Sequence, residues 1–240
     1  MGNAIENKNI TFKKDTGRET VVGVISEIQI NQGSYSTIFD SIVDVAGHKK
    51  RFIIKKYKDT MGASAAKNAD KAFKNYSLAK KAGLKIFPTF RVSENKKNIL
   101  MTTGFSNGQI CVGSNNDITV TELGRPLICE IQNVDKFLSD FFNEHLKAAK
   151  HGIRFWIDVF FFILSRNEPT KIDFVVGDLD NSAEMEPSKS IGLRNMEYAR
   201  TTLIAFCEKN INTNFAYKFR EKVEAYYEQG VNAVNASELN

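Results

Sequence analysis

Cysteine is scarce, and its placement suits neither of its structural uses. Cys111, Cys129 and Cys207 are the only three in 240 residues, an odd number, widely separated, with no Cys-x-x-Cys pair. The three histidines, His48, His145 and His151, fall at no metal-ligand spacing. A disulfide framework and a zinc site are therefore both excluded as organising principles, and a reducing, cytoplasmic setting is the expectation. Long apolar runs are lacking as well. The most apolar stretch, residues 155–164, is ten residues long and broken by Asp158, too short to cross a bilayer; it reads as buried core. The amino terminus has no basic start followed by an apolar run, so no secretory leader is expected. Met1-Gly2 opens a myristoylation pattern, but Glu6 stands where Ser or Thr is required. No dense basic patch exists either. Thirty-three Lys and Arg against 28 Asp and Glu leave a formal charge of +5 and a pI near 9.0. That balance suits a partner carrying phosphate and argues against direct nucleic-acid binding.

What is present is an ordinary globular composition, 42% hydrophobic and 25% charged, enough for one domain or for two lobes sharing a cleft. Residues 1–20 are polar and lysine-rich and read as a flexible lead-in. Residues 21–30, 37–45 and 51–57 are rich in strand-forming side chains and separated by two turns, Asn31-Gln32-Gly33-Ser34 and Ala46-Gly47-His48, which predicts three consecutive antiparallel strands. Over 63–82 the period becomes helical, with Gly83 as the stop. Two further strands are expected at 86–92 and 98–103. Residues 104–133 give only short strands and loops. An amphipathic helix follows at 134–150, ended by Gly152. A strand is expected over 171–176, then a loop over 184–190, then helices over 195–209 and 214–228. Residues 231–240 read as a frayed tail. The division is a β-rich lobe over 21–105 and a mostly helical lobe over 106–230.

The residues with most chemical content come in order along this frame. Ile30-Asn31-Gln32-Gly33-Ser34-Tyr35-Ser36-Thr37-Ile38 is a turn between strands, rich in residues that let backbone N–H groups face anionic oxygens. It is equally a plain hairpin turn. Lys55 ends the apolar run Phe52-Ile53-Ile54, as an inward lysine needing an anionic partner or as one of a solvated set with Lys49, Lys50, Arg51, Lys56 and Lys58. Asp158 lies in an aromatic run, where a carboxylate must be satisfied by a metal, by a cation such as Arg154, or by backbone N–H groups. Asp178-Leu179-Asp180-Asn181 follows a hydrophobic strand. Its two carboxylates suit Mg²⁺, or form an Asp/Asn-capped turn.

Taken together these motifs resemble the protein-kinase superfamily. Gly33 matches the second glycine of the glycine-rich loop, with Asn31 and Ser36 in place of the first and third, and Ile38 at the apolar position that packs on adenine. Phe52-Ile53-Ile54-Lys55 resembles Val-Ala-Ile-Lys, whose lysine holds the α- and β-phosphates. Lys150-His151-Gly152-Ile153 resembles the approach to the catalytic loop. A gapless count then puts Phe155-Trp156-Ile157 at the His-Arg-Asp triplet and Phe162 at the metal-binding asparagine, with Asp158 one residue past the catalytic aspartate. Asp178-Leu179-Asp180 resembles Asp-Phe-Gly, and more closely the Asp-x-Asp of small bacterial lipopolysaccharide-kinase-like enzymes. Departures are clear. Helix 63–82 contains no glutamate for Lys55, Asp70 being its acid in that stretch, and the peptide-positioning segments of protein kinases are missing.

The resemblance, over residues 21–181, implies an α+β, two-lobed kinase-like fold: an antiparallel upper lobe with one helix, and an abbreviated helical lower lobe. It implies ATP and Mg²⁺, with Asn31, Gly33, Ser34, Ser36, Ile38 and Lys55 on the nucleotide, Asp178 and Asp180 on the metal, and Asp158 with Lys55 catalytic. The acceptor is an unspecified hydroxyl. A second reading is a pseudokinase that binds nucleotide or a protein partner, since packing residues replace polar ones at 155–157 and 162. A third is an unrelated α+β binding domain whose motifs coincide.

Overall fold

The computed structural model describes residues 8–13, 19–92, 99–103, 109–113, 130–156, 158–165, 170–180 and 182–239. The turns expected at 15–17, 93–96 and 166–169, most of 104–133, Ile157 and Asn181 lie outside the described residues. The architecture is α+β. Two compact units divide the chain: Met1–Tyr76 with Phe87–Ser106, and Ser77–Ile86 with Asn107–Asn240.

In the first unit the strands β1 (Lys8–Lys13), β2 (Glu19–Gln32), β3 (Ser36–Val45), β4 (His48–Tyr57), β5 (Thr89–Val92) and β6 (Ile99–Thr103) form one curled antiparallel sheet in the order β1-β2-β3-β4-β6-β5. It closes where β5 pairs with β1. Closure removes the sheet edges and buries one face of every strand. Ile10, Val22, Val24, Val43, Phe52, Ile54, Ile99 and Met101 fill the interior, with Phe39, Val45 and Phe90 packed against them. Residues 8–13 are therefore a strand and not part of a flexible lead-in. The signal was Ile10, an apolar residue in a polar stretch, which pairs with Val22 and is 3% exposed. The hairpin between β3 and β4 turns on Ala46 and Gly47, both at positive φ, as a two-residue hairpin loop demands; the Asp44 carboxylate accepts the Gly47 N–H at 2.7 Å. The helix α1 (Ala65–Lys81) begins where Asp59 Oδ1 accepts the Ala65 N–H at 2.7 Å.

The second unit holds β7 (Gln109–Gly113), α2 (Val134–Lys150), β8 (Ile153–Arg154), β9 (Phe160–Ser165), β10 (Ile172–Val176), β11 (Ala183–Glu184), α3 (Lys189–Asn210) and α4 (Thr213–Ala236). A three-stranded sheet runs β10-β9-β7, and β8 pairs with β11. The second half of the apolar run at 155–164 is thus strand β9. Its alternate residues Phe160, Phe162 and Leu164 are buried, in a core shared with Phe137 and Phe141 of α2, Phe174 of β10 and Phe206 of α3. Phe141 meets Phe160 and Phe174 edge-on at 4.7 and 5.0 Å, the geometry that aromatic quadrupoles favour. Segment Ser77–Ile86 belongs to this unit for a physical reason. Val176 N–H donates to the Lys85 carbonyl at 2.8 Å, Glu144 accepts the Lys85 N–H, and the Lys147 ammonium donates to the Gly83 carbonyl at 3.0 Å. Helix α4 runs on to Ala236, so most of the expected frayed tail is helical. Gly192 on α3 faces Val234, and Gly230 faces Met196 and Phe142, and these small residues allow the close approach that holds the last turns.

Among the described residues, no helix is long and apolar enough to cross a membrane. His145, fully buried on α2, stacks on Phe160 at 4.5 Å and meets Phe155 edge-on. Its Nδ1–H donates to the Phe141 carbonyl at 2.8 Å, and burial pushes its pKa down to about 3. The unfolded chain takes up a proton near pH 6.5 that the native core refuses, so stability is whole above that pH. It falls as the medium is acidified from 6.5 towards 3, by about 1.4 kcal/mol per unit from this group. Urea midpoints measured between pH 5 and 7 are expected to decline for the wild type, and less steeply for His145→Gln.

Candidate functional site

The register of the first unit sorts the predicted residues onto faces. Asn31 pairs with Ile38, Ile38 with Lys55, Lys55 with Leu100, and Leu100 with Arg91. Directly paired residues in antiparallel strands share a face, so these five form one row across β2, β3, β4, β6 and β5. Ser36 pairs with Tyr57 one step further along that face. Ile53 lies two residues from Lys55 on the same strand and face. The opposite face carries Phe39, Ile54 and Met101 and is the closed interior. Lys55 is therefore on the outer face and Lys56 on the inner. Periodicity alone left the two lysines equivalent; the register separates them. Lys56 is neutralised where it stands, its ammonium 2.5 Å from Glu27 and 4.1 Å above the Phe39 ring. The Lys55 ammonium lies 5.7 Å from the centre of the Tyr57 ring, leaning along its strand towards the turn at 33–35.

That turn is a hairpin with its own closure. Gly33 N–H donates to the Ser36 carbonyl at 2.9 Å, so this donor is spent within the turn. Gly33 does not adopt a positive φ, and a Cβ placed on it would touch only the Ser36 oxygen at 3.9 Å; neither conformation nor crowding requires glycine here. Asn31 Oδ1 accepts the Gln32 N–H at 2.7 Å. Residues 31–35 are all exposed and Ser36 is buried. Asp70, the acid of α1 considered as a partner for Lys55, binds Arg91 at 2.8 Å instead. Arg91 stands two strands from Lys55 in the same row, about 10 Å away at ordinary strand spacing. Arg91 escaped the sequence reading because pairing through β6 was needed to bring it to this face, whereas Ile53 was read only as part of the run before Lys55.

In the second unit the three aspartates gather at one end of the β9–β10 hairpin. Phe160 pairs with Val176, and Gly177 N–H donates to the Val159 carbonyl at 2.8 Å. The next residues outward on the two chains are Asp158 and Asp178. Gly177 is required by space, since a Cβ would run into the Phe161 ring. Leu179 is fully buried and anchors the segment, leaving Asp178 and Asp180 half-buried on either side of it. Asp178 Oδ1 accepts the Asp180 N–H at 3.4 Å, which ties the two residues across Leu179. Among the described residues no three His, Cys, Asp or Glu side chains gather closely enough to hold a metal by themselves. A pair of carboxylates nonetheless fits Mg²⁺, which commonly takes one or two from protein and its remaining oxygens from phosphate and water.

The position matching the metal-binding asparagine, Phe162, is fully buried between Phe137 and Phe206 and belongs to the core. Phe155 is likewise buried, whereas Trp156 is exposed, with the Arg154 guanidinium 4.8 Å above its ring and Tyr198 stacked at 6.2 Å. The backbone here is held by Asn195, which sequence reasoning missed. Its Oδ1 accepts the Phe155 N–H at 3.0 Å, while its Nδ2 donates to the Ile153 and His145 carbonyls at 3.0 and 3.2 Å. Asparagine in a helix interior opposite apolar neighbours was the available clue, since such a group is buried only with partners.

No family model matches the chain, and no curated protein matches its sequence. Among solved structures it is similar to a ROP18 kinase domain in complex with AMP-PNP and sucrose, at 8% identity and a TM-score of 0.49 over 96% of this chain and 82% of that one. It is also similar to the proinflammatory kinase CtkA of Helicobacter pylori, at 7% identity and a TM-score of 0.47 over 90% of this chain and 97% of that one.

Replacing Asn195 by Ala strands three buried backbone groups. A loss of about 2–4 kcal/mol in unfolding free energy is expected, read by chemical denaturation. The emission of Trp156, the one tryptophan, is expected to shift in the native state of the variant, because the loop carrying it loses its tether.

Proposed function

We propose that this chain is a kinase-like domain that binds ATP with Mg²⁺ and transfers phosphate to a hydroxyl acceptor. One observation carries the reading: Asn31, Ser36, Ile38 and Lys55, chosen from the order of motifs, share one outer face of β2, β3 and β4, with an exposed turn at its end. Ile38 and Ile53 supply an aliphatic bed for a planar base. Lys55 supplies the charge for phosphate. The turn contributes backbone donors at Ser34 rather than at Gly33. Asp178 and Asp180 are the residues that would hold Mg²⁺, whose charge, when bound, offsets that building on the phosphate oxygens.

In such a transfer the acceptor oxygen forms its bond to the γ-phosphorus as the bond from phosphorus to the β,γ-bridging oxygen breaks. ADP leaves, and the acceptor proton passes to the Asp158 carboxylate. A second reading, a nucleotide-binding pseudokinase, has its own support. Phe162 fills the asparagine position as a core residue, and Asp70 serves Arg91. Cytoplasmic location and a phosphate-bearing rather than nucleic-acid partner remain part of the proposal on the composition.

A thermal-shift titration tests it. Saturating Mg-ATP at a hundredfold excess over Kd is expected to add about 2.7 kcal/mol to stability, a rise of several degrees in Tm. Lys55→Ala is expected to weaken ATP binding about tenfold or more, as loss of a charged phosphate contact does. Asp178→Asn is expected to abolish phosphate transfer measured as ADP release. A shift without turnover on any hydroxyl acceptor selects the pseudokinase; no shift at all defeats both.

A further inference from the structure

A cavity of about 340 Å³ in the second unit is lined by none of the residues read as catalytic or metal-binding. It lies where the first turns of α2 face the free edge of β10, and Phe137, Ile163, Ile172 and Phe174 form its apolar lining. Strand β10 ends its sheet, whose order is β10-β9-β7, so every second residue turns its N–H and C=O away from β9. Those residues are Ile172, Phe174 and Val176, and the outer two are occupied. The Asn133 side chain stands in for a peptide group at Ile172, accepting its N–H at 3.1 Å and donating to its carbonyl at 2.8 Å. Val176 N–H donates to the Lys85 carbonyl at 2.8 Å.

Phe174, between them, is met by neither a backbone nor an amide group. Its N–H goes to the Asp173 carboxylate, which bends back to accept it at 2.8 Å. Its carbonyl accepts no hydrogen bond from the described residues, although Phe174 is only 2% exposed. A buried carbonyl without a donor is uncommon and costly. The same Asp173 oxygen also accepts from the Lys85 ammonium, which lies 5.0 Å from the centre of the Phe174 ring. An oxyanion at this point is thus held by one backbone N–H and one ammonium. The Lys85–Asp173 pair is exposed, at 45% and 58%, and an exposed pair opens at little cost. Across the cavity Lys136 meets Asp140 at 2.5 Å, and Lys171 also lines it. With Asp173 turned out, three lysines stand against one acid, which favours an anionic occupant.

We propose that this cavity binds an N-acylated amino acid, a ligand of one peptide unit ending in a carboxylate. The ligand carboxylate replaces that of Asp173 between Phe174 N–H and the Lys85 ammonium. Its amide N–H donates to the Phe174 carbonyl, and its aliphatic side chain lies on Phe137 and Ile163. One residue of an antiparallel strand offers the same N–H and oxygen to the residue opposite. Occupation of the edge at Ile172 and Val176 limits the site to that one residue, which sets the ligand apart from an extended strand of a partner protein. The site is independent of the nucleotide reading, and Asp173 is its internal competitor.

Titration of the full chain with N-acetylleucine, followed by amide NMR shifts and calorimetry, tests it. A Kd of about 1 mM or tighter is expected for a ligand of this size, with the Phe174 amide among the most shifted. N-acetylleucinamide, which lacks the carboxylate, is expected to bind about tenfold more weakly. Two substitutions are expected to act in opposite directions. Lys85→Met weakens N-acetylleucine about tenfold by removing the ammonium. Asp173→Ala strengthens it about threefold or more, because a self-occupied site lowers apparent affinity by the fraction left open. Loss of folding does not produce that opposition, and Lys209→Ala, an exposed lysine late in α3, is expected to match wild type. No shift at about 10 mM ligand, equal affinity for acid and amide, or weakening by both substitutions overturns the proposal. Tighter binding of a tripeptide ending in leucine than of N-acetylleucine overturns the single-residue site in favour of a peptide strand.

Discussion

The first unit depends on a parity. Phe39, Ile54 and Met101 pair across β3, β4 and β6 and point into the closed sheet, because burying them there removes large apolar surface from water at about 25 cal/mol per Å². Once that row is inside, Ile38, Ile53 and Lys55 must be outside, since successive residues of a strand point to opposite faces. A slip of one residue would put Lys55 in the interior and Ile54 in water, exchanging a favourable burial for an uncompensated charge. The placement of Asn31, Ser36, Ile38 and Lys55 on one face follows from the hydrophobic demand of their neighbours.

Lys56 shows the other side of the same constraint. Parity sends it inward, and the sheet tolerates it only because Glu27 and the Phe39 ring receive its charge near the end of the interior. The two adjacent lysines thus have opposite fates. Lys56 stands inside on Glu27, and Lys55 stands on the outer face beside Ile38 and Ile53.

In the second unit the corresponding constraint is aromatic packing. Phe141 touches Phe137, Phe160, Phe162, Phe174 and His145, and this cluster fixes the β9–β10 hairpin against α2. The hairpin in turn sets Asp158 and Asp178 at its open end, with Leu179 pinning the segment between Asp178 and Asp180. Asn195 completes the arrangement by holding the chain between β8 and Asp158 from α3. Phe162 is a packing residue of this core, against Phe206 and Phe137. Asp158 and Asp178 are placed by strand register.

Much of the frame was legible along the chain. The alternation in β3 and β4, the helical period of α2 and the strand leading to Asp178 are local patterns, and local patterns survive in one dimension. Less legible was whatever depends on distant partners. Ile10 reads as part of a polar leader until Val22 is beside it. Gly192 and Gly230 look like helix weaknesses until Val234 and Met196 pack into the space they leave. By itself, the sequence determined which residue types stand at the turn, at the end of β4 and after β10, and hence what chemistry is on offer. Only the tertiary structure decided that Lys55 faces outward while Lys56 is neutralised, and that Asp70 serves Arg91. Those outcomes rest on cross-strand register and long-range hydrogen bonds, which no periodicity along a single strand encodes.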